Sequence, residues 1–261
     1  MADPFASVQD RFDRAQEHFD EIRRMLRIYY AGDVHVIRGE SDINAAMTMN
    51  PLYVEAPPER VNTLIGEMLH DLRSCLDHLA YKFVGFTPGN PTKDTYFPIC
   101  KVRPMANKYG VQPPPPLVGG STLEVMAFLD KHQPYQLDAD FFLHGLWELH
   151  RLAIIDRHRH IVPKGVSIAP IRWTFTGIPP LGKYQWTART KTSDEFGAEL
   201  DLVLDKPHPD AEGHATLRIL VNEPGPDGLD NPNPVPLMDL LVNLNDQTRT
   251  IVNEARALFF A

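Results

Sequence analysis

Arg73 and His78 are the residues of this chain whose types and spacing best fit a chemical role. Cleavage of RNA without a metal ion needs a fixed cation beside the phosphate and a group that titrates near neutrality. Arginine supplies the cation, and histidine can accept and return the proton. Three further polar residues lie in the same stretch and form a candidate supporting network: His70, Ser74 and Asp77.

The helix predicted for this stretch sets a geometric problem for that pair. Five residues along a straight α-helix leave Arg73 and His78 facing about 140° apart. They can converge across a dimer, at a distortion of the helix, or through the length of the arginine side chain. The alternative is a structural role, in which Arg73 pairs with Asp77 four residues later and His78 bonds a neighbouring loop.

The spacing of an arginine and a histidine separated by four to six residues is not specific on its own. It occurs twice more in this chain, from Arg11 to His18 and from Arg151 to His158. Three occurrences are close to what the composition produces by chance. The motif therefore needs support from the elements that position it.

A second polar cluster ends the other long central helix and completes the predicted network. Asp156 falls on an apolar side of that helix, so its carboxylate is expected to need a cation, and Arg73 is the predicted partner. Cations in a last helical turn also complement the helix dipole. The remaining members of the cluster are His150, Arg157, His158, Arg159 and His160.

Metal binding is the weaker interpretation of these residues. A site built from His70, Asp77, His150 and Asp156 is conceivable, but neither long helix carries a His-x3-His pair. Gly-rich phosphate loops, nucleophile elbows, Cys-x2-Cys pairs and dinucleotide-binding fingerprints are absent from the sequence. We therefore expect no metal and no cofactor.

Composition bounds the class of protein. The chain has 261 residues, 43% of them hydrophobic, which suits one large or two small domains. A net charge of -8 argues against a protein that coats nucleic acid through bulk charge. The sequence contains no signal-like start and no apolar run of membrane-spanning length, so we expect no membrane partner. Cys75 lies on an apolar stripe, and Cys100 is the only other cysteine of the sequence. We therefore expect no structural disulfide, which favours the cytoplasm.

The helices that position these residues are predicted from apolar periodicity. Their expected ranges are 4–31, 57–84, 121–131, 138–161 and 235–260. The helix 138–161 is apolar nearly all round and is expected to be the most buried. The helices 4–31 and 235–260 share one heptad spacing, which predicts that they pack together, with a dimer seam as the alternative for 4–31.

The segment 165–222 alternates apolar and polar residues between turn signals, which predicts four or five antiparallel strands. A short strand is also possible at 34–37, and another strand or a helical turn at 42–47. The predicted fold is α+β, a bundle of four to five helices with an inserted antiparallel β-sheet. We expect a single domain over 1–261, with the bundle at 1–162 and 235–261 and the sheet at 163–234.

Several runs of this chain resemble known proteins. IGEMLHDLRSCLDHLAY, YFPI, HQPY and LWELHRLAIIDRHRHIV are similar to a widespread set of uncharacterised bacterial and phage proteins, over about residues 30–165. Within them, the run from Arg73 to His78 resembles the Arg-x4–6-His signature of HEPN domains. Those are helical bundles, many of them metal-independent ribonucleases of toxin–antitoxin and phage-defence systems. The resemblance implies that Arg73 contacts the scissile phosphate and His78 acts on the ribose 2′-hydroxyl, while Ser74 loosely matches the polar residue that follows the arginine.

Two functions therefore stand as hypotheses. The first is a HEPN-like protein that cleaves or binds RNA, acting as a homodimer through helix 4–31 or helix 59–84. The second is a non-catalytic interaction or scaffold protein in which the arginine, aspartate and histidine side chains form a structural polar network.

Overall fold

The computed structural model describes Asp3 and most of the chain after it. The described ranges are 5–32, 38–42, 49–53, 57–85, 91–103, 122–158, 165–168, 172–175, 183–204, 211–221 and 235–260. The protein is α+β, with a helical bundle and an antiparallel sheet. Contacts divide the chain into two compact units. The first unit comprises Met1–Asp20, Thr63–Ile161 and Leu241–Ala261, and the second comprises Glu21–Asn62 and Val162–Leu240.

The described residues form five α-helices. They are α1 (Ala6–Ala31), α2 (Glu59–Gly85), α3 (Leu123–Lys131), α4 (Gly145–His158) and α5 (Leu237–Phe259). A 3-10 helix, Pro134–Leu143, precedes α4. The helices predicted at 4–31, 57–84, 121–131 and 235–260 are confirmed as α1, α2, α3 and α5.

Apolar stripes explain why these helices form. The carboxylate of Asp3 accepts a hydrogen bond of 2.8 Å from the Phe5 backbone N–H and so caps the start of α1. The apolar positions that recur at helical spacing along α1 are all buried: Phe5, Val8, Phe12, Ala15, Phe19, Ile22, Leu26 and Tyr29. Those of α2 are buried as well: Val61, Leu64, Ile65, Met68, Leu72, Cys75, Leu76, Leu79 and Phe83. The stripe of α5 is buried except at Leu258, which is 60% exposed. Burial of these stripes supplies the main stabilisation of each helix.

The predicted packing of the first and last helices is confirmed within the first unit. The Gln16 side-chain oxygen accepts hydrogen bonds from Asn245 Nδ2 at 3.1 Å and Arg249 Nη2 at 2.8 Å. The Phe5 ring lies 5.0 Å from the Phe260 ring. The matched heptad spacing therefore indicates neighbouring helices of one bundle.

The single long helix predicted at 138–161 is wrong. Asp138 has φ 48° and ψ −118°, which breaks helical geometry, and α4 begins only at Gly145. The expectation that this region is the most buried is also wrong, because Phe142, Leu143 and Ile154 are 53%, 66% and 42% exposed. Apolar composition all round a segment does not by itself ensure that neighbours cover every side.

The described strands form one antiparallel sheet. Their bounds are β1 (Arg38–Asp42), β2 (Met49–Tyr53), β3 (Gly165–Ile168), β4 (Arg172–Phe175), β5 (Lys183–Ser193), β6 (Ala198–Leu204), β7 (Ala211–Val221) and β8 (Val235–Pro236). The order is β2-β1-β5-β6-β7-β3, and β4 and β8 also pair with β7. The prediction of four or five antiparallel strands between 165 and 222 is confirmed, with five found, and β1, β2 and β8 enlarge the sheet. The strand predicted at 34–37 lies outside the described residues, as does 42–47 apart from Asp42.

The second unit is anchored by the turn between β5 and β6. Glu195 in that turn is 6% exposed and accepts hydrogen bonds from Arg23 at 2.6 Å and Arg27 at 2.8 Å, both on the last turns of α1. Nearby, the Tyr30 hydroxyl accepts a hydrogen bond of 3.0 Å from the Ile219 backbone N–H of β7. These contacts tie the end of α1 to the strands of its own unit.

Candidate functional site

Arg73 and Asp77 hold the backbone of one loop residue. Arg73 Nη2 lies 2.9 Å from Asp77 Oδ1 and donates a hydrogen bond of 2.8 Å to the Phe97 carbonyl. Asp77 Oδ1 also accepts a hydrogen bond of 2.9 Å from the Phe97 backbone N–H. Both polar groups of a buried irregular residue are thus satisfied by one helix, as burial of backbone requires.

Gln133 extends this grip along the same loop. It is fully buried, donates to the Pro98 carbonyl at 2.9 Å and accepts from the Cys100 backbone N–H at 2.9 Å. We name Arg73, Asp77 and Gln133 the loop clamp. Through the clamp, residues of the runs LRSCLD, YFPI and HQPY contact one another in this chain.

The loop clamp does not include His78. Helix α2 runs unbroken from Glu59 to Gly85, so no distortion brings His78 round to Arg73. The Arg73 and His78 side chains therefore leave α2 in directions about 140° apart. Within one chain they do not form a common site. His78 and Ser74 are half-buried, and His70 is exposed.

The predicted ion pair between Arg73 and Asp156 is wrong. Among the described residues Asp156 forms no ion pair, and its buried Oδ1 has no hydrogen-bond partner. Its two carboxylate oxygens instead lie 2.6 and 2.7 Å from the position that a Cβ atom on Gly66 would occupy. Gly66 is seven residues, or about 10 Å of helix, before Arg73. The missing side chain of Gly66 leaves room for Asp156 at that level, two turns from the arginine.

The remaining members of the predicted network are not brought to Arg73 by any described contact. His150 is half-buried on α4, with its ring 5.9 Å from that of Trp147. Arg157 and His158 form the end of α4, and their side chains lie outside the described part of the structure. Arg159 lies outside the described residues altogether.

The second arginine–histidine spacing does converge, around a residue that the sequence analysis missed. Asp71 of α2 is 3% exposed. Arg11 Nη1 lies 3.0 Å from its Oδ1, and His18 Nε2 lies 3.4 Å from its Oδ2. Seven residues make two turns, which places Arg11 and His18 on the same face of α1. We name Arg11, His18 and Asp71 the α1–α2 cluster.

A signal for Asp71 was present in the sequence. It follows Met68 by three residues and precedes Cys75 by four, so it lies on the buried stripe of α2. An ionised carboxylate in an apolar stripe needs partners from a neighbouring element. Arg14 Nε lies 3.9 Å from Asp71, and Glu67 lies 3.7 Å from His18, so the cluster is ringed by both signs of charge.

The two cysteines are free thiols. Burial raises the pKa of Cys75 to about 12, and burial also raises the pKa of Cys100 above its ordinary value. Neither is therefore an activated nucleophile, since the thiolate is the reactive form. In the described part of the chain, His, Cys, Asp and Glu side chains form no group of three that could hold a metal ion.

No family model matches this chain, and no similar curated protein or solved structure was found. Over the described residues, no helix is long and apolar enough to cross a membrane.

Proposed function

We propose that the protein is a non-catalytic binding or scaffold protein, in which Arg73 and Asp77 build a surface instead of reacting with a substrate. The observation that carries this proposal is the position of Arg73 Nη2, between Asp77 Oδ1 and the Phe97 carbonyl. Arg73 is 8% exposed, so little of its guanidinium can meet a phosphate from solvent. With two free thiols, the protein suits a reducing compartment such as the cytoplasm.

Removal of Arg73 tests the structural role. Arg73→Ala leaves the Asp77 carboxylate and the Phe97 carbonyl without their buried donor, which costs about 2–4 kcal/mol of unfolding free energy. Arg60→Ala, at an exposed arginine of the same helix, is the matched control and is expected to change stability by less than about 0.5 kcal/mol. Urea unfolding followed by circular dichroism measures both.

An RNA-cleavage assay with His78→Ala and Arg73→Ala tests whether Arg73 and His78 act as a catalytic pair. Wild type and His78→Ala are incubated with a fluorescent single-stranded RNA of mixed sequence, without metal. We expect both to leave the RNA intact at equal, background rates. Cleavage by wild type that disappears in His78→Ala and in a folded Arg73→Ala would overturn the scaffold proposal.

A second candidate function, metal-independent RNA cleavage, is supported at a different place by the α1–α2 cluster. His18 is 21% exposed and Arg11 32% exposed, so both can meet a ligand. A carboxylate that orients a histidine beside an arginine is a suitable arrangement for proton transfer at a phosphodiester. In this second proposal, the protein is a HEPN-like ribonuclease of a toxin or defence system whose catalytic pair is Arg11 and His18 instead of Arg73 and His78.

His18→Ala separates the two candidates. RNA cleavage that falls at least tenfold in His18→Ala and persists in His78→Ala would favour the ribonuclease. Homodimerisation, the partner state expected of HEPN-like enzymes, is measured by light scattering in the same samples. The apolar stripes of α1 and α2 are already buried within one chain, so a dimer would have to use their polar faces.

A further inference from the structure

A pocket of about 540 Å³ lies between α3 and the end of α5, but it is largely apolar and nothing identifies its occupant. A second pocket, of about 520 Å³, lies beside the loop that the clamp holds. We name it the 101–138 pocket. It is lined by Lys101, Val102, Arg103, Tyr135, Gln136 and Asp138. Its volume suits a small molecule.

One carboxylate organises the walls of the 101–138 pocket. Asp130 Oδ2 lies 3.0 Å from Arg103 Nη2, and Asp130 Oδ1 accepts a hydrogen bond of 2.6 Å from the Tyr135 hydroxyl. Gln136 donates to the Asp130 backbone carbonyl at 2.7 Å. The Arg103 guanidinium lies over the Tyr135 ring, 5.4 Å from its centroid. The arginine and the ring are thus held as a stacked pair, which lowers the ordering cost of binding.

The loop clamp gives this pocket a fixed wall. It binds Phe97, Pro98 and Cys100 through their backbone groups, and Lys101 follows directly. Gln133, a member of the clamp, lies two residues before Tyr135 in the opposite wall of the pocket. Rigid support of an irregular loop is typical of loops that carry binding residues. The buried polar groups of the clamp therefore position the two sides of the pocket.

Asp138 adds a feature that stability alone does not favour. Its φ of 48° is the only positive φ at a non-glycine residue in the described part of the chain. Such backbone conformations cost about 1–3 kcal/mol and concentrate at ligand sites. Here the strained residue lies in the pocket wall.

We propose that the 101–138 pocket binds a mononucleotide-sized ligand, a phosphate joined through a sugar to a planar base. Lys101 forms no ion pair with any described residue, and with Arg103 it supplies donors for a phosphate. Tyr135 is buried, and the half-exposed Arg103 guanidinium that covers its ring offers its outer face to a base. Asp138 disfavours a bare anion but accepts hydrogen bonds from sugar hydroxyls. The net charge of -8 disfavours a long nucleic acid, so the ligand is a free nucleotide. This proposal goes beyond the scaffold role and does not depend on it.

Calorimetric titration of the full chain with AMP, adenosine and inorganic phosphate tests the proposal. We expect saturable AMP binding, with adenosine and phosphate each bound at least about tenfold more weakly, since each lacks one half of the contacts. A single-stranded 12-nucleotide RNA is the arm that separates a free nucleotide from a polymer, and we expect it to bind no more tightly than AMP.

The double variant Lys101→Ala/Arg103→Ala is expected to weaken AMP binding at least about tenfold. Both side chains are exposed, so the fold is expected to survive, and a thermal melt checks this. Lys93→Ala removes an exposed lysine outside the pocket and is expected to leave the affinity unchanged. Absence of AMP binding at about 1 mM, RNA binding without AMP binding, or an affinity that the double variant leaves unchanged would each overturn the proposal.

Discussion

The carboxylate of Asp156 lies against Gly66, with its two oxygens 2.6 and 2.7 Å from the place of a missing Cβ atom. No described hydrogen-bond donor reaches the buried Oδ1 of Asp156. Glycine in the interior of a helix weakens that helix by about 1 kcal/mol relative to alanine. The close approach of α4 to α2 therefore costs helix propensity at Gly66 and leaves Oδ1 of Asp156 without a described donor.

Gly66→Ala is expected to lower the free energy of unfolding by about 1–2 kcal/mol, because the new methyl group must displace the carboxylate. In the background of Asp156→Ala the same change is expected to become stabilising by up to about 1 kcal/mol, since only the gain in helix propensity remains. Urea unfolding of the two single variants and the double variant measures this coupling. Effects that add within about 0.3 kcal/mol would show that the two residues do not interact.

Gln133→Ala removes two hydrogen bonds to the loop backbone, at Pro98 and Cys100. We expect a loss of about 2–4 kcal/mol in unfolding free energy, because the buried Pro98 carbonyl and the part-buried Cys100 N–H lose their partner. Loosening of the loop is also expected to speed modification of the Cys100 thiol by a disulfide reagent. Gln136→Ala, at an exposed glutamine three residues later, is the control, and an equal response of both variants would contradict the clamp.

The periodic elements and the packing of α1 on α5 were predictable from sequence, whereas the surroundings of Asp156 and Gln133 were not. The apolar residues of α1, α2 and α5 repeat at helical spacing, and this spacing predicts which face of each helix is buried. The break at Asp138 has no such local signal, because no glycine or proline lies between Asp138 and His144. The partner chosen for Asp156 was wrong because the space beside Gly66 arises from the meeting of two helices. Gln133 was overlooked because a buried glutamine becomes recognisable only when the loop backbone that it binds is known.

Glu195 is expected to make stability sensitive to acid. Hydrogen bonds from Arg27, with further ones from Arg23, lower the pKa of this carboxyl from its ordinary 4.5 to about 2. A folded-state pKa below the unfolded one stabilises the fold above pH 4.5, and this stabilisation is lost as pH falls towards 2. Glu195→Gln is therefore expected to show a shallower loss of unfolding free energy between pH 4.5 and pH 2 than wild type. Glu212→Gln, at an exposed glutamate of β7, should keep the wild-type slope.

His144 is expected to act in a higher pH range. Its Nδ1 accepts a hydrogen bond of 3.2 Å from the Leu146 backbone N–H at the start of α4, and burial lowers the pKa of its ring below the ordinary 6.5. The unfolded chain then binds the proton more readily, so unfolding free energy falls as pH decreases below 6.5. His144→Asn keeps a capping acceptor without a titrating ring. We expect it to flatten the slope between pH 6.5 and pH 5, whereas His70→Asn, at an exposed histidine, should not.

The pairing of Arg27 with Glu195 joins residues that are 168 positions apart. At translation rates of roughly 5–20 residues per second, the nascent chain waits roughly 8–34 s between synthesis of the arginine and of its carboxylate. During that interval the end of α1 has two arginines without their acidic partner and an apolar face without its strands. The second unit therefore folds late in synthesis. A ribosome-bound chain that stops before Glu195 exposes an apolar, positively charged helix end that chaperones can bind.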